Sequence, residues 1–427
     1  MNNRPHSPTD SWSRLSHYMG LDWSKDHHDI VVVDPEGCVV LEMTFDDNAE
    51  GWHRLRQRLD EQVDADRPRI GVAVETSRGP AVERLLELGC SVFPVHPKAA
   101  QRYRDRKAPS GVKHDRLDAW SLGDALRTDG QPWRALEQED PLVQELRLIC
   151  RDEISLIEQR TALVNQLQEA LHEYYPAALE AFTVWTQPGA WAFVEQFPTP
   201  QALGKAGKRR WEKFLHANKL YRPETYSRRL EVFARAAEFC GGEAVTRAKS
   251  LLAVSLAGQL RLLERQLTAY RQRIQDLFDQ HPDHELFDSL PGAGQKVAPR
   301  LLCESGGSDG PFEDVQGMQC MAGTAPVSFQ SGQMKRVLFR RACNKHFRAA
   351  VHLWAGLSRQ KCVWADVYYR KKRAEGKSHS CALRCLGQRW LKILFKMLQS
   401  GQPYDEALHM RNQVAHGSWV VELIQNA

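Results

Sequence analysis

Leu256, Leu260, Leu263, Leu267, Tyr270, Ile274 and Leu277 follow one another at spacings alternating between four and three. Such a run makes one continuous apolar stripe only on an α-helix, where residues three and four apart stand on the same face. Arg, Glu and Gln fill the remaining positions, as a solvated face requires. A stripe of this length needs a second helix to cover it. Residues 142–174 offer one, with a looser seam through Cys150, Ile157, Val164 and Leu171. The spacing therefore predicts a pair of long antiparallel helices, an arm or coiled coil, closed either within one chain or across a dimer. The aromatic stretch 176–242 lies between them as an insert, and the whole helical region is expected over 135–285.

Ahead of the arm the period changes. Residues 17–24, 29–34 and 38–45 are apolar, β-branched runs separated by turn residues, and read as three consecutive strands. The stretch 48–63 is helical, opened by Asn48 as a cap. "RIGVAVETS" is a short apolar run suited to a strand buried on both faces. A helix stopped by Gly89 and a last strand, "SVFPVHP", follow. A meander of three strands and then alternating helix and strand predicts a mixed sheet of the RNase H-like kind over 17–134, behind a disordered tail, 1–16. The fold class is thus α/β plus all-α.

Charge separates the chain into unlike parts. The net charge is only +5, yet residues 331–400 hold 17 Lys and Arg against two acids, Asp366 and Glu375. That segment carries +15 and leaves −10 for the rest. Interleaved with Phe339, Phe347, Trp354, Trp364, Tyr368, Tyr369 and Trp390, it has the footprint of a nucleic-acid partner. No run of about 18 apolar residues is present, and the first twenty residues lack the apolar centre of a signal peptide. The ten cysteines contain no Cys-x-x-Cys pair, and Cys381 and Cys385 beside His379 lack a fourth zinc ligand. These features suit a cytoplasmic protein with reduced thiols and no membrane partner.

The chemistry gathers in four acids. Asp22 lies in the first strand and Glu75 ends the fourth, which are neighbours in an RNase H-like sheet. In "SGVKHDRLDAW" Asp115 and Asp118 stand three apart, on one face of a helix. Packed over the sheet end, that helix would complete a cluster of four carboxylates. Such a cluster repels itself unless cations neutralise it, and hard oxygen donors select Mg2+, or Mn2+ in its place. Arg102, Arg104, Arg106, Lys107, Lys113 and Arg116 surround the pair and would hold DNA phosphates against the metal. Further along, the Pro-Gly-x-Gly of "LPGAGQKVAPRLL" reads as the turn of a helix-hairpin-helix, with backbone N–H groups ready for a phosphate.

Five stretches together make the chain resemble the DEDD transposases of the insertion sequence 110 family: "GLDWSKDHHDIVVVD", "VETSRGP", "SGVKHDRLDAWSLGDAL", "LPGAGQKVAPRLLCE" and "MAGTAPVSFQSGQMKRVLFRRACNKHFRAAVHLWA". The resemblance spans about 20–131 and 290–359. It implies a RuvC-like domain, a helical region, and a mainly helical transposase domain over 286–400, followed by a C-terminal tail, 401–427. It implies a recombinase that moves its own element, guided by a noncoding RNA that pairs with donor and target DNA, working as a homodimer or homotetramer. Carried over by motif, Asp22, Glu75, Asp115 and Asp118 become the metal ligands. The motif G-x-x-P-x-x-x-x-S-G falls on Gly323, Pro326, Ser331 and Gly332, making Ser331 the nucleophile, with Ser328 its nearby competitor. Lys335, Arg336, Arg340, Arg341, Lys345 and Arg348 supply cations for the transferring phosphate. The chain departs from many relatives at His114, where they carry Thr, and at Cys343, where they carry Gly. A DNA invertase of the same superfamily, a RuvC-like structure-specific endonuclease, and a catalytically silent nucleic-acid-binding protein are the competing readings.

Overall fold

The computed structural model describes residues 8–107, 114–332 and 334–425. The chain is mixed α/β, with one five-stranded mixed sheet and many helices, and divides into two units, residues 1–139 and 140–427.

The first unit is built on β1 (His17–Trp23), β2 (His27–Val33), β3 (Val39–Asp46), β4 (Ile70–Val74) and β5 (Ser91–Pro94). They lie side by side in the order β3-β2-β1-β4-β5. β2 runs antiparallel to both of its neighbours, while β1, β4 and β5 are parallel. β4, "IGVAV", is buried along its whole length, as its unbroken apolar run requires. The short helix α1 (Pro8–Ser13) precedes the sheet. Part of the stretch expected to be a disordered tail, 1–16, is therefore ordered. Trp12 donates its indole N–H to the carbonyl of Leu126 at 2.7 Å, and Leu15 is buried. Helix α2 (Ala49–Gln62) starts where expected, with the Asn48 side chain accepting from the Gly51 N–H at 2.9 Å. It is followed by α3 (Pro80–Glu87), α4 (Pro97–Lys107) and α5 (Asp115–Asp129). One apolar layer, with Met19, Leu21, Val72, Leu55 and Leu85, fills one side of the sheet. The other, with Tyr18, Val31, Ala73, Phe93, Ala119 and Leu122, lies under α5.

The second unit is dominated by α6 (Pro141–Tyr174) and α11 (Glu243–Gln280). Glu145–Arg273, Arg160–Glu264 and Glu173–Lys249 ion pairs show that they run antiparallel. Leu256, Leu260, Leu263, Leu267, Ile274 and Leu277 are buried, while Tyr270 is half-buried at the edge of the seam. Glu153 is buried too, held between Arg271 at 3.3 Å and Arg300 at 2.7 Å. Between the long helices, α7 (Pro176–Ala181), α8 (Pro188–Gln196), α9 (Pro200–Ala217) and α10 (Pro223–Ala234) form an aromatic core on one end of the pair, around Trp191, Phe193 and Phe233.

At the other end, α6 and α11 share a single core with α12 (His284–Asp288), α13 (Gly294–Ser305), α14 (Val315–Met321), α15 (Lys345–Ser358), α16 (Val363–Ala374) and α17 (His379–Ser400). Trp354, Trp364 and Trp390 are its largest buried members. Gly292, in the Pro-Gly-x-Gly turn, has φ of +77°, and a Cβ there would stand 2.7 Å from the Ser358 backbone nitrogen. The Trp354 indole donates to the Pro291 carbonyl at 3.1 Å, so this turn is packed against α15. Residues 401–427, expected as a tail, include α18 (Glu406–Ala415) and α19 (Trp419–Gln425), with Trp419 stacked on Tyr368. A two-stranded hairpin, β6 (Val327–Ser331) and β7 (Met334–Leu338), interrupts the helices. No helix among the described residues is long and apolar enough to cross a membrane.

Candidate active site

Strand register assembles the acids. β1 and β4 pair in parallel with Leu21 opposite Val74, so Asp22 and Glu75 follow at the same end of adjacent strands. On its other side β1 pairs with β2, placing Asp29 opposite Asp22. Helix α5 is pressed onto β1 by small residues. A Cβ on Gly20 would lie 1.8 Å from the Ala119 carbonyl oxygen, and one on Gly123 would lie 3.0 Å from the Gly20 nitrogen. This approach brings Asp115 and Asp118, in the first turn of α5, to the strand ends. His114 caps that turn, its Nδ1 accepting from the Leu117 N–H at 3.1 Å. A Thr side chain could cap in the same way.

The electrostatics register the crowding. Burial, and then the charges of Asp118, Asp115, Glu75 and Asp29 in that order, push the Asp22 carboxyl up to about 6. Asp118 is buried and receives Arg104, whose Nη1 lies 3.0 Å from each carboxylate oxygen. Carboxylate oxygens of Asp115 and Asp29 and a ring nitrogen of His27 lie within 4.8 Å of one another, a spacing that could hold a metal ion. Asp29 also accepts from the Thr44 hydroxyl at 2.5 Å. Sequence reasoning missed His27 and Asp29. Their signal was the tight β1–β2 connection, which folds "KDHHD" back beside Asp22.

The surrounding cations differ in how they are used. Arg104, expected to hold DNA phosphates, is committed to Asp118, where it lowers the repulsion within the cluster. Arg106 pairs with Asp129 at 3.4 Å and Arg116 with Glu42, both on the surface, where such pairs contribute little and exchange readily with phosphate. Arg102 is exposed. Lys113 and the side chain of Lys107 lie outside the described residues.

In the second unit, Ser331 ends β6 and is exposed, directly before Gly332 with φ of +56°. Ser328 lies in the same strand, opposite Val337. Arg336 faces Phe329 across the hairpin, and the backbone of Lys335, whose side chain is outside the described residues, faces Gln330. Arg340 donates from Nε to the Ala325 carbonyl at 3.1 Å and so anchors the hairpin base. Arg341 and Lys345 are exposed, and Arg348 stacks over Phe339. Cys343 fills the space beside Gly323, where a Cβ would come within 2.8 Å of its sulfur.

Residues 19–176 match a family model of DEDD transposases of the IS110 group, and residues 284–370 match one for transposases of the IS116/IS110/IS902 family. The chain is 34% identical to the mini-circle transposase named for IS117 of Streptomyces coelicolor, over 92% of this chain and 96% of the relative. It is 28% identical to the 43.6 kDa protein of insertion element IS110 from the same organism, over 92% and 96%. A transposase of Sinorhizobium fredii, y4uE, is 37% identical over 38% of this chain and 46% of its own length. A mixed α/β unit with acids converging at one sheet end, a basic helical unit and end-to-end similarity to such relatives lead to one assignment. The chain belongs to the IS110 family of transposases, enzymes that act on DNA.

Proposed function

We propose that this transposase cuts and exchanges DNA strands with two groups, a divalent-cation site on an RNase H-like (RuvC-like) sheet and the hydroxyl of Ser331. The carrying observation is the convergence of Asp22, Glu75, Asp115 and Asp118 through the β1–β4 register and the close seating of α5 on Gly20. An RNase H-like sheet has its first and fourth strands as neighbours, as β1 and β4 are here. The oxygen-rich donor set fits Mg2+, or Mn2+, and the nearby His27 nitrogen is compatible with the latter. When bound, the cation supplies Lewis acidity toward a phosphodiester.

Ser331 supplies the nucleophile. Its Oγ forms a bond to phosphorus as the bond from phosphorus to a deoxyribose oxygen breaks. That oxygen leaves with a proton, and the serine gives one up. Attack by the hydroxyl of a second strand then displaces the serine and joins the strands. Arg336, Arg340 and Arg341, with Lys335, supply positive charge for the transferring phosphate. The family resemblance adds the partners: donor and target DNA, a noncoding guide RNA from the element, and further copies of the chain in a dimer or tetramer. The basic segment 331–400 supports a nucleic-acid partner of this kind.

The test is a covalent trap. Wild-type protein incubated with element-end DNA, guide RNA and Mg2+ and then denatured in detergent should carry DNA on the tryptic peptide containing Ser331. Ser331→Ala should lose the adduct and all strand exchange while still binding DNA. Cleavage at the wild-type rate by Ser331→Ala would exclude the serine mechanism and favour metal-activated water, as in a junction resolvase.

A further inference from the structure

Phe339 follows directly on the β6–β7 hairpin and overhangs α15 and α17. Beneath it is a cleft of about 360 Å³, lined by Phe339, Arg348, Ala349, His352, Leu353 and Arg384. Ligand pockets begin at roughly 300 Å³, so the space suits one small planar group and its substituents. The guanidinium carbons of Arg384 and Arg348 lie 4.7 and 5.3 Å from the Phe339 ring centroid. Neither arginine is in an ion pair among the described residues, unlike Arg359 and Arg370, which share Asp366. No carboxylate among the described residues lines the cleft. Phe339 and Leu353 remain 43% exposed, an apolar plate and floor with no covering element among the described residues.

We propose that this cleft takes an unpaired nucleotide of a nucleic-acid strand, its base stacked against the Phe339–arginine layer and its phosphate held by Arg348 and Arg384. The inference rests on the reading of this chain as a nucleic-acid recombinase and adds a binding site to it. A site for duplex phosphates alone needs cations on an open surface, with no aromatic plate or apolar recess. A site for a protein side chain needs the apolar recess, and two guanidiniums without a carboxylate would lose hydration there without return. Among the parts of a nucleic acid, an unpaired nucleotide offers both a planar π face and an anion at short separation, and bases stack on aromatic rings and on guanidinium planes. His352 fits the same picture. Burial first, and then the positive charges of Arg384, His379 and Arg348, hold its imidazole below the ordinary value. A surplus of positive charge therefore faces the cleft.

The experiment uses the full chain with chelator present, so that no strand is cut. The probe is a single-stranded oligothymidine carrying one iodouracil, irradiated on the protein, with the adduct mapped by mass spectrometry. The expected crosslink falls on the peptides bearing Phe339 or His352, and an excess of free thymidine monophosphate fails to suppress it. Phe339→Ala should weaken single-strand binding about tenfold, the loss of one base–aromatic stack, and leave duplex binding unchanged. Phe339→Trp should restore it, and Arg384→Gln should weaken it at an unaltered melting temperature. Crosslinks elsewhere, wild-type affinity in both Phe339→Ala and Arg384→Gln, or equal competition by the free nucleotide would overturn the proposal. A wild-type chain that binds no nucleic acid in any form would overturn the functional reading with it. One that binds duplex and single strand yet is indifferent to these substitutions overturns the cleft alone.

Discussion

Asp22 pays for the position it holds. Partial burial and four neighbouring carboxylates raise its folded-state value from 3.8 to about 6. An acid raised in this way stabilises the metal-free fold only while it keeps its proton. Its contribution is fully present below about pH 3.8 and is lost as the pH rises through about 6. In chelator at about pH 7.5, Asp22→Asn should therefore melt a few degrees above wild type, an effect reduced by the partial exposure of the group. Near pH 4 the difference should vanish, and Mg2+ should stabilise wild type more than the variant. Thermal melts at the two pH values, with and without metal, check this. No gain from Asp22→Asn at the higher pH would mean that the carboxylates do not converge. Single substitutions Asp22→Ala, Glu75→Ala, Asp115→Ala and Asp118→Ala should each abolish Mg2+-dependent DNA cleavage with the circular dichroism spectrum preserved. Full cleavage in two of them would remove the site. Asp29→Ala tests the added neighbour, and a raised Mg2+ requirement in cleavage assays is the expected result.

The seating of α5 on β1 is decided by Gly20. Any side chain there meets the Ala119 carbonyl at a distance that atoms do not share. Gly20→Ala should displace the helix, cost about 1–3 kcal/mol in chemical denaturation, and remove cleavage without touching an acid. A variant with unchanged stability and activity would show that α5 is not held so close. At the head of the same helix, His114→Ala should cost about 1 kcal/mol and His114→Thr much less, since only the cap is at stake. Much of this unit was legible in its residues. β-Branched runs bounded by turns located all five strands, and Asn48 marked the start of α2. The α6–α11 pair was equally legible, because a leucine stripe has one helical solution. What escaped was set by distant parts of the chain. Trp12 and Leu15 order α1 only because Leu126 and the sheet lie beside them. The β6–β7 hairpin carries exposed, mixed residues on both faces, so no alternation announced it. Nor was it legible that α6 and α11 continue into the core of the last helices. The apolar faces that meet there, from Val143 and Phe278 to Trp354 and Trp390, come from segments far apart in the chain.

Across the whole molecule the charge is divided, with +15 on residues 331–400 and −10 on the remainder. In the proposed reading the basic part meets the nucleic acid, and each phosphate it neutralises releases counterions. The arginines around the hairpin are not equivalent in this. Arg336 and Arg341 are exposed and make no ion pair among the described residues, whereas Arg340 is tied to the Ala325 carbonyl and anchors the hairpin. Arg336→Gln and Arg341→Gln together should weaken DNA binding at every sequence tested. They should also reduce the slope of log affinity against log salt by about 0.9 for each duplex phosphate no longer neutralised. Their melting temperature should stay at the wild-type value. Arg340→Gln should lower affinity and also melt earlier, because an anchor disappears along with a charge. Titrations by fluorescence anisotropy across a salt series, paired with melts, separate the two effects. An unchanged slope in the double variant would place the DNA away from the hairpin, and Ser331, at its tip, could not then be the residue that reaches the phosphate.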